Sequence, residues 1–152
     1  MESAAADLDP GDCLFEHLLS IENDRESLIL HKGKTCFIVL NAFPYTNGHM
    51  MVVPFRHTPD MSELSDAEML EINQFVALAL NLLKAAYKPD GFNVGVNLGR
   101  PAGAGVPGHI HWHVLPRWNG DTNFMTSIGE TRVLPQSLQD SYERLKAVLD
   151  AR

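Results

Sequence analysis

His109-Ile110-His111-Trp112-His113 runs directly into Val114-Leu115-Pro116-Arg117-Trp118, with a histidine at every second position of its first half. Side chains of an extended strand alternate between faces, so the three imidazoles are expected on one side of it. Ile110, Trp112 and Val114 then point the other way, as in a strand with a buried back face. Same-face positions lie about 6.5 Å apart, which puts the outer histidines about 13 Å apart at Cα. A histidine at every second position brings no packing advantage, so the spacing points to chemistry.

The approach to this strand is Asn97-Leu98-Gly99-Arg100-Pro101-Ala102-Gly103-Ala104-Gly105-Val106-Pro107-Gly108, with four glycines and two prolines. Such a segment reads as a loop. Its glycines would let backbone N–H groups approach an anion with no Cβ in the way. Joined to three histidines, it suggests a phosphate held against an imidazole nucleophile.

The 152 residues suffice for one domain with a sizeable core. A hydrophobic share of 45% and a charged share of 20% are ordinary for a globular protein. A formal net charge of −7 argues against a large nucleic-acid footprint, although a small phosphorylated substrate remains compatible with it. No signal peptide and no apolar stretch of membrane-spanning length is read, so neither membrane nor nucleic acid is expected as a partner. Cys13 and Cys36 are taken as reduced thiols of a cytoplasmic protein.

Residues 1–10 read as a flexible leader and 11–152 as one domain. A short helical pattern covers 13–19. Strands are expected at 26–30 and 36–40 around a turn at 31–34, and at 49–54, closed by Pro54. Ser65-Asp66-Ala67-Glu68 is a capping box. It opens a long helix with Met69, Ile72, Phe75, Val76, Ala79, Leu80, Leu83 and Tyr87 at helical spacing. A strand at 92–97 follows Pro89-Asp90-Gly91, and an amphipathic closing helix is expected at 134–149. Antiparallel strands with segregated helices make an α+β domain, with a sheet of about five strands, a long helix and a C-terminal helix.

The run His-apolar-His-aromatic-His followed by two apolar residues resembles the signature of the histidine triad (HIT) superfamily. Phe37-Ile38-Val39-Leu40-Asn41 with Pro44, Gly48-His49-Met50-Met51-Val52-Val53-Pro54 and Arg56-His57 resembles the family's nucleotide-pocket half. Asn97-Leu98-Gly99 with Ala102-Gly103 resembles its loop before the triad, and the segment 116–125 resembles the bacterial diadenosine tetraphosphate phosphorylase-like branch. The resemblance implies a HIT-like fold and His111 as the nucleophile that attacks an α-phosphorus and carries a nucleotidyl group. A neutral imidazole suits that task near pH 7. His109 and His113 are then expected to fix its tautomer and to supply donors to phosphate oxygens. Asn41 corresponds to a ribose contact and Asn97 to a phosphate contact. Phe37, Gly103, Ala104, Gly105 and Trp118 complete the expected substrate-binding set, with Phe37, Ile38 and Phe43 suited to a purine face. The partners implied are a nucleotide or dinucleoside polyphosphate, inorganic phosphate and a second copy of the chain.

Two positions depart from the family pattern. Many HIT hydrolases place glutamine or serine four residues before the first histidine, where this chain has Gly105. That favours phosphorolysis over hydrolysis. Many bacterial relatives hold structural zinc through a Cys-x-x-Cys pair plus histidines, whereas this chain reads Cys13-Leu14-Phe15-Glu16. Glu16 could ligate through oxygen, but no metal is expected and magnesium is optional. The rival readings are a metalloenzyme built on the triad histidines, a plain hydrolase, and a nucleotide-binding module without turnover.

Overall fold

The computed structural model describes residues 11–122 and 136–151. The expected leader, residues 1–10, and positions 123–125 of the branch-like segment lie outside the described residues. The elements in chain order are helix α1 (Leu14–Ser20), a single turn α2 (Asp24–Ser27), strands β1 (Ile29–Lys32), β2 (Cys36–Leu40) and β3 (Met50–Pro54), and helix α3 (Asp66–Tyr87). Strands β4 (Gly91–Val96) and β5 (Trp112–Arg117) and helix α4 (Leu138–Asp150) follow. The strands form one sheet in the order β1-β2-β3-β5-β4, and all of its pairs are antiparallel. The α+β expectation with five strands is met.

Cys-Phe-Ile-Val-Leu and Met-Met-Val-Val-Pro are buried throughout, because β2 and β3 are interior strands covered on both faces. Directly paired residues share a face. The register therefore sets His113, Met51 and Val39 on one side, and Val114, Met50 and Leu40 on the other. Helix α3 covers the second side, buries Ile72, Phe75, Ala79, Leu82 and Leu83, and starts at the expected capping box on Ser65 and Glu68. By length and composition alone α3 is long and apolar enough to cross a bilayer, which corrects the reading that no such stretch exists. Its five buried apolar side chains instead belong to the core cluster. Phe15 of α1 packs on the histidine side.

Several boundaries move. Residues 26 and 27, expected to open the first strand, lie instead in the helical turn α2, where the Asn23 side chain caps the Arg25 N–H. Leu28, at φ 60°, then turns the chain into β1 at Ile29. The closing helix spans Leu138–Asp150, with Ser137 capping the Asp140 N–H, and positions 134–135 of the expected span lie outside the described residues. His49 precedes β3 and β5 begins only at Trp112, so His109 and His111 stand on the irregular approach to the strand. Pro116 is tolerated inside β5 because the pairing with β3 ends at Val114.

Candidate active site

All three triad imidazoles are buried, His109 at 0%, His111 at 3% and His113 at 8% exposure. They do not share one environment. His111 stands in the middle, with its ring 5.0 Å from Phe15 and 4.9 Å from His113, centroid to centroid. Its Nδ1 lies 2.8 Å from the carbonyl oxygen of His109, so Nδ1–H donates and Nε2 keeps the lone pair. The tautomer of His111 is thus set by the backbone of His109 and not, as expected, by the neighbouring imidazoles. Burial lowers the pKa of His111, which keeps the ring neutral and nucleophilic.

His113 is tied to a fourth histidine that the sequence reading did not place among the catalytic groups. His49 is fully buried, and its Nδ1 accepts the Tyr45 backbone N–H at 3.2 Å, with Asn41 Nδ2 at 3.3 Å. Nε2 of neutral His49 must then carry the proton, and it donates to His113 Nδ1 at 2.9 Å. His113 in turn carries its proton on Nε2. That atom is buried and has no hydrogen-bond partner among the described residues. Burial, with His111 alongside, pushes the His113 pKa down to about 4, so at neutral pH it is an uncharged donor waiting for an acceptor. Gly48 lets this turn form: its φ is +79°, and a Cβ there would meet Leu83 at 2.9 Å and Tyr87 at 3.0 Å.

His109 faces the opposite way. Its Nε2–H donates to the Pro54 carbonyl at 2.8 Å, leaving the Nδ1 lone pair 3.2 Å from Cys13 Sγ. Its ring stacks on His57 at 5.0 Å, and burial lowers its pKa. One ligand atom from each of Cys13, His57 and His109 lies within 4.8 Å of the others. Glu16 Oε1 accepts from His57 Nδ1 at 3.1 Å. Thiolate, imidazole and carboxylate are the donor types that zinc takes, so these residues fit such an ion. The sequence reading expected no metal there. The triad itself forms no single metal site, since His113 is engaged by His49 and His109 by Pro54 and Cys13.

The remaining expected residues divide. Asn41 joins the His49–His113 group and turns its Oδ1 to the Phe43 N–H. Phe37 shares the site face by register but is fully buried under Phe55, at 5.6 Å between stacked rings, so it offers no open face to a base. Phe43 is 62% exposed, whereas Ile38 is fully buried on the α3 side. Asn97 Nδ2 donates to the Gly103 carbonyl at 3.4 Å, which braces the loop. The N–H groups of Ala102, Gly103 and Ala104 are consumed inside that loop by Gly99 and Arg100 carbonyls. Among the described residues those of Gly105 and Val106 make no hydrogen bond, so the anion-binding part of the loop is narrower than the glycine content suggested. Gly105 has no positive φ, and a Cβ there meets nothing within 4 Å. Trp118 is half-buried edge-on to Tyr87, the ring that also backs Gly48, in a turn braced by Arg117 and Asp121.

Residues 22–120 match the HIT domain family. The chain belongs to the histidine triad family. It is 45% identical over 130 residues to the AP-4-A phosphorylase of Mycobacterium tuberculosis, a match covering 86% of this chain and 66% of that protein. The chain therefore spans just under two thirds of that curated relative. It is 33% identical over 91 residues to a bis(5'-adenosyl)-triphosphatase of Saccharomyces cerevisiae, covering 59% of this chain and 44% of that one. Its fold matches that of a zinc-bound histidine triad family protein from Mycobacterium smegmatis with a TM-score of 0.67 and 25% identity, over 82% of this chain and 84% of that one. The matched range of this HIT protein includes His109, His111 and His113.

Proposed function

We propose that this HIT protein cleaves dinucleoside polyphosphates of the diadenosine tetraphosphate type by phosphorolysis, through a nucleotidyl group carried on His111. The observation that carries the reading is the pairing of a bare His111 Nε2 with a buried, unpartnered His113 Nε2–H beside it. A nucleophile next to an orphaned neutral donor suits an α-phosphate, which offers phosphorus to one and oxygen to the other. His111 Nε2 forms the N–P bond as the bond from the α-phosphorus to the bridging oxygen breaks. ATP leaves, and inorganic phosphate then attacks the same phosphorus, frees the imidazole and departs with the nucleotidyl group as ADP. The names of the M. tuberculosis and yeast relatives support the substrate class.

Open space at Gly105 favours phosphate over water as the acceptor. In this reading Asn41 contacts the ribose, and Asn97, Gly105 and Trp118 line the phosphate path. A metal on Cys13, His57 and His109 would fix His109 and so the carbonyl that orients His111, with no step at phosphorus passing through it. We further propose a homodimer joined through edge strand β4, where Val94 is 47% exposed and Leu98, just beyond it, 52%. Light scattering should give twice 16.9 kDa, and a monomer would refute the dimer.

Product analysis tests the function. With diadenosine tetraphosphate and phosphate the protein should yield ADP and ATP, whereas AMP and ATP regardless of phosphate would identify a plain hydrolase. Gly105→Gln, unstrained by φ or contact, should shift the ADP to AMP ratio toward AMP by about a hundredfold, the usual value of one donor at such a site. An unchanged ratio would remove Gly105 from the account.

A further inference from the structure

The fit of Cys13, His57 and His109 to zinc leaves open how many ligands the protein supplies, and the hydrogen bonds around the cluster answer it. Each imidazole has one nitrogen already committed on its outer side. His109 donates Nε2–H to the Pro54 carbonyl, which leaves Nδ1 bare toward Cys13. His57 donates Nδ1–H to Glu16, which leaves Nε2 as its free lone pair. Metal-binding histidines are commonly oriented in this way, with the far N–H given to a backbone carbonyl or a carboxylate. Glu16 therefore acts behind His57, and its oxygens do not fall within the group of mutually close ligand atoms. Glu16, whose oxygen the sequence left as an available ligand, stands instead behind His57.

We propose that this cluster is an open zinc-class site with three protein ligands, Cys13 Sγ, His57 Nε2 and His109 Nδ1, and a fourth position for water or a small anion. Four ligands at zinc distances stand about 3.3–3.8 Å apart, so the observed 4.8 Å limit requires only a small contraction. Cys13 loses its thiol proton to solvent when the metal binds. Cys13 and His109 are buried, whereas the side chains of His57 and Glu16 are 44% and 54% exposed, so the fourth position opens on the solvent side. Three protein ligands with an exchangeable fourth differ from the closed four-ligand sets of structural zinc. The proposal does not rest on the phosphorolysis reading.

Cobalt reports coordination without any assay of turnover. Full-length chelator-treated protein, titrated with Co²⁺, should take one equivalent and show a thiolate-to-metal charge-transfer band, and adding azide should shift its visible bands. Cys13→Ser should lose the charge-transfer band. Glu16→Gln should keep the band and the azide response but bind cobalt about 10–100-fold more weakly, as expected of an orienting partner. Glu16→Cys should double the charge-transfer intensity and abolish the azide response by closing the site. Circular dichroism checks the fold of each variant, and a zinc-dependent rise in melting temperature of the unmodified chain gives a second readout. The proposal is overturned if the unmodified chain binds no cobalt and zinc leaves its melting temperature unmoved. It is equally overturned if azide leaves the cobalt spectrum unchanged, or if Glu16→Gln loses the charge-transfer band as Cys13→Ser does.

Discussion

The two outer histidines of the triad come from one short run of sequence and end in opposite surroundings. His113 lies at 2.9 Å from another buried imidazole, and its remaining N–H is buried with no partner among the described residues. His109 meets a thiol, and its neighbour His57 reaches an exposed carboxylate. The His113 end is buried and holds a neutral donor that suits a phosphate oxygen. The His109 end is the anchored side, where a backbone carbonyl and Cys13 fix the ring whose own carbonyl orients His111. Identical side chains thus divide into a reacting end and a supporting end, and the division is made by what each nitrogen already holds.

The largest effect expected is at the centre. His111→Gly should reduce nucleotidyl transfer at least about a thousandfold with the circular dichroism spectrum unchanged, since the covalent step has no substitute. A variant releasing nucleotide near the normal rate would break the assignment of the centre and the comparison with it. At the reacting end, His49→Phe removes the donor that fixes the His113 tautomer. Transfer should fall about a hundredfold, the scale of losing one aligned donor, while light scattering shows the same particle. Unaltered kinetics would mean that the His49–His113 contact is packing alone.

The difference between the ends was only partly legible in the sequence. The continuous apolar runs of β2 and β3, the capping box of α3 and the triad spacing are local patterns, and they pointed to the sheet and to the proposed nucleophile. His49 carries no comparable signal, because a lone histidine after Gly48 reads as a strand opening. Its role depends on a partner 64 residues away. The Cys13–His109 contact spans 96 residues, and Cys-x-x-Glu looked like a lost site because spacing cannot show that Glu16 reaches His57. Phe37 has the right face but the wrong depth, since period two fixes direction and not what lies above. The 24–27 turn was missed because the Asn23 cap outweighed the strand pattern.

A smaller effect sharpens the comparison through pH. The His113 pKa is ordinary, 6.5, in the unfolded chain and about 4 in the fold, so the unfolded state binds the extra proton first. Stability should be level above pH 6.5 and decline as pH falls toward 4, by at most about 3 kcal/mol from this group. Urea unfolding of the unmodified chain and of His113→Asn across that window measures it. An equal decline in both would show that His113 is not held as a neutral donor.

The central claim is that His111 carries the nucleotidyl group and that phosphate takes it off. Mass spectrometry of the protein mixed with diadenosine tetraphosphate in phosphate-free buffer tests it most directly. One ATP should be released per site, leaving an AMP adduct on the peptide containing His111 that added phosphate discharges as ADP. Steady AMP release with no adduct on His111, unchanged by phosphate, would contradict it.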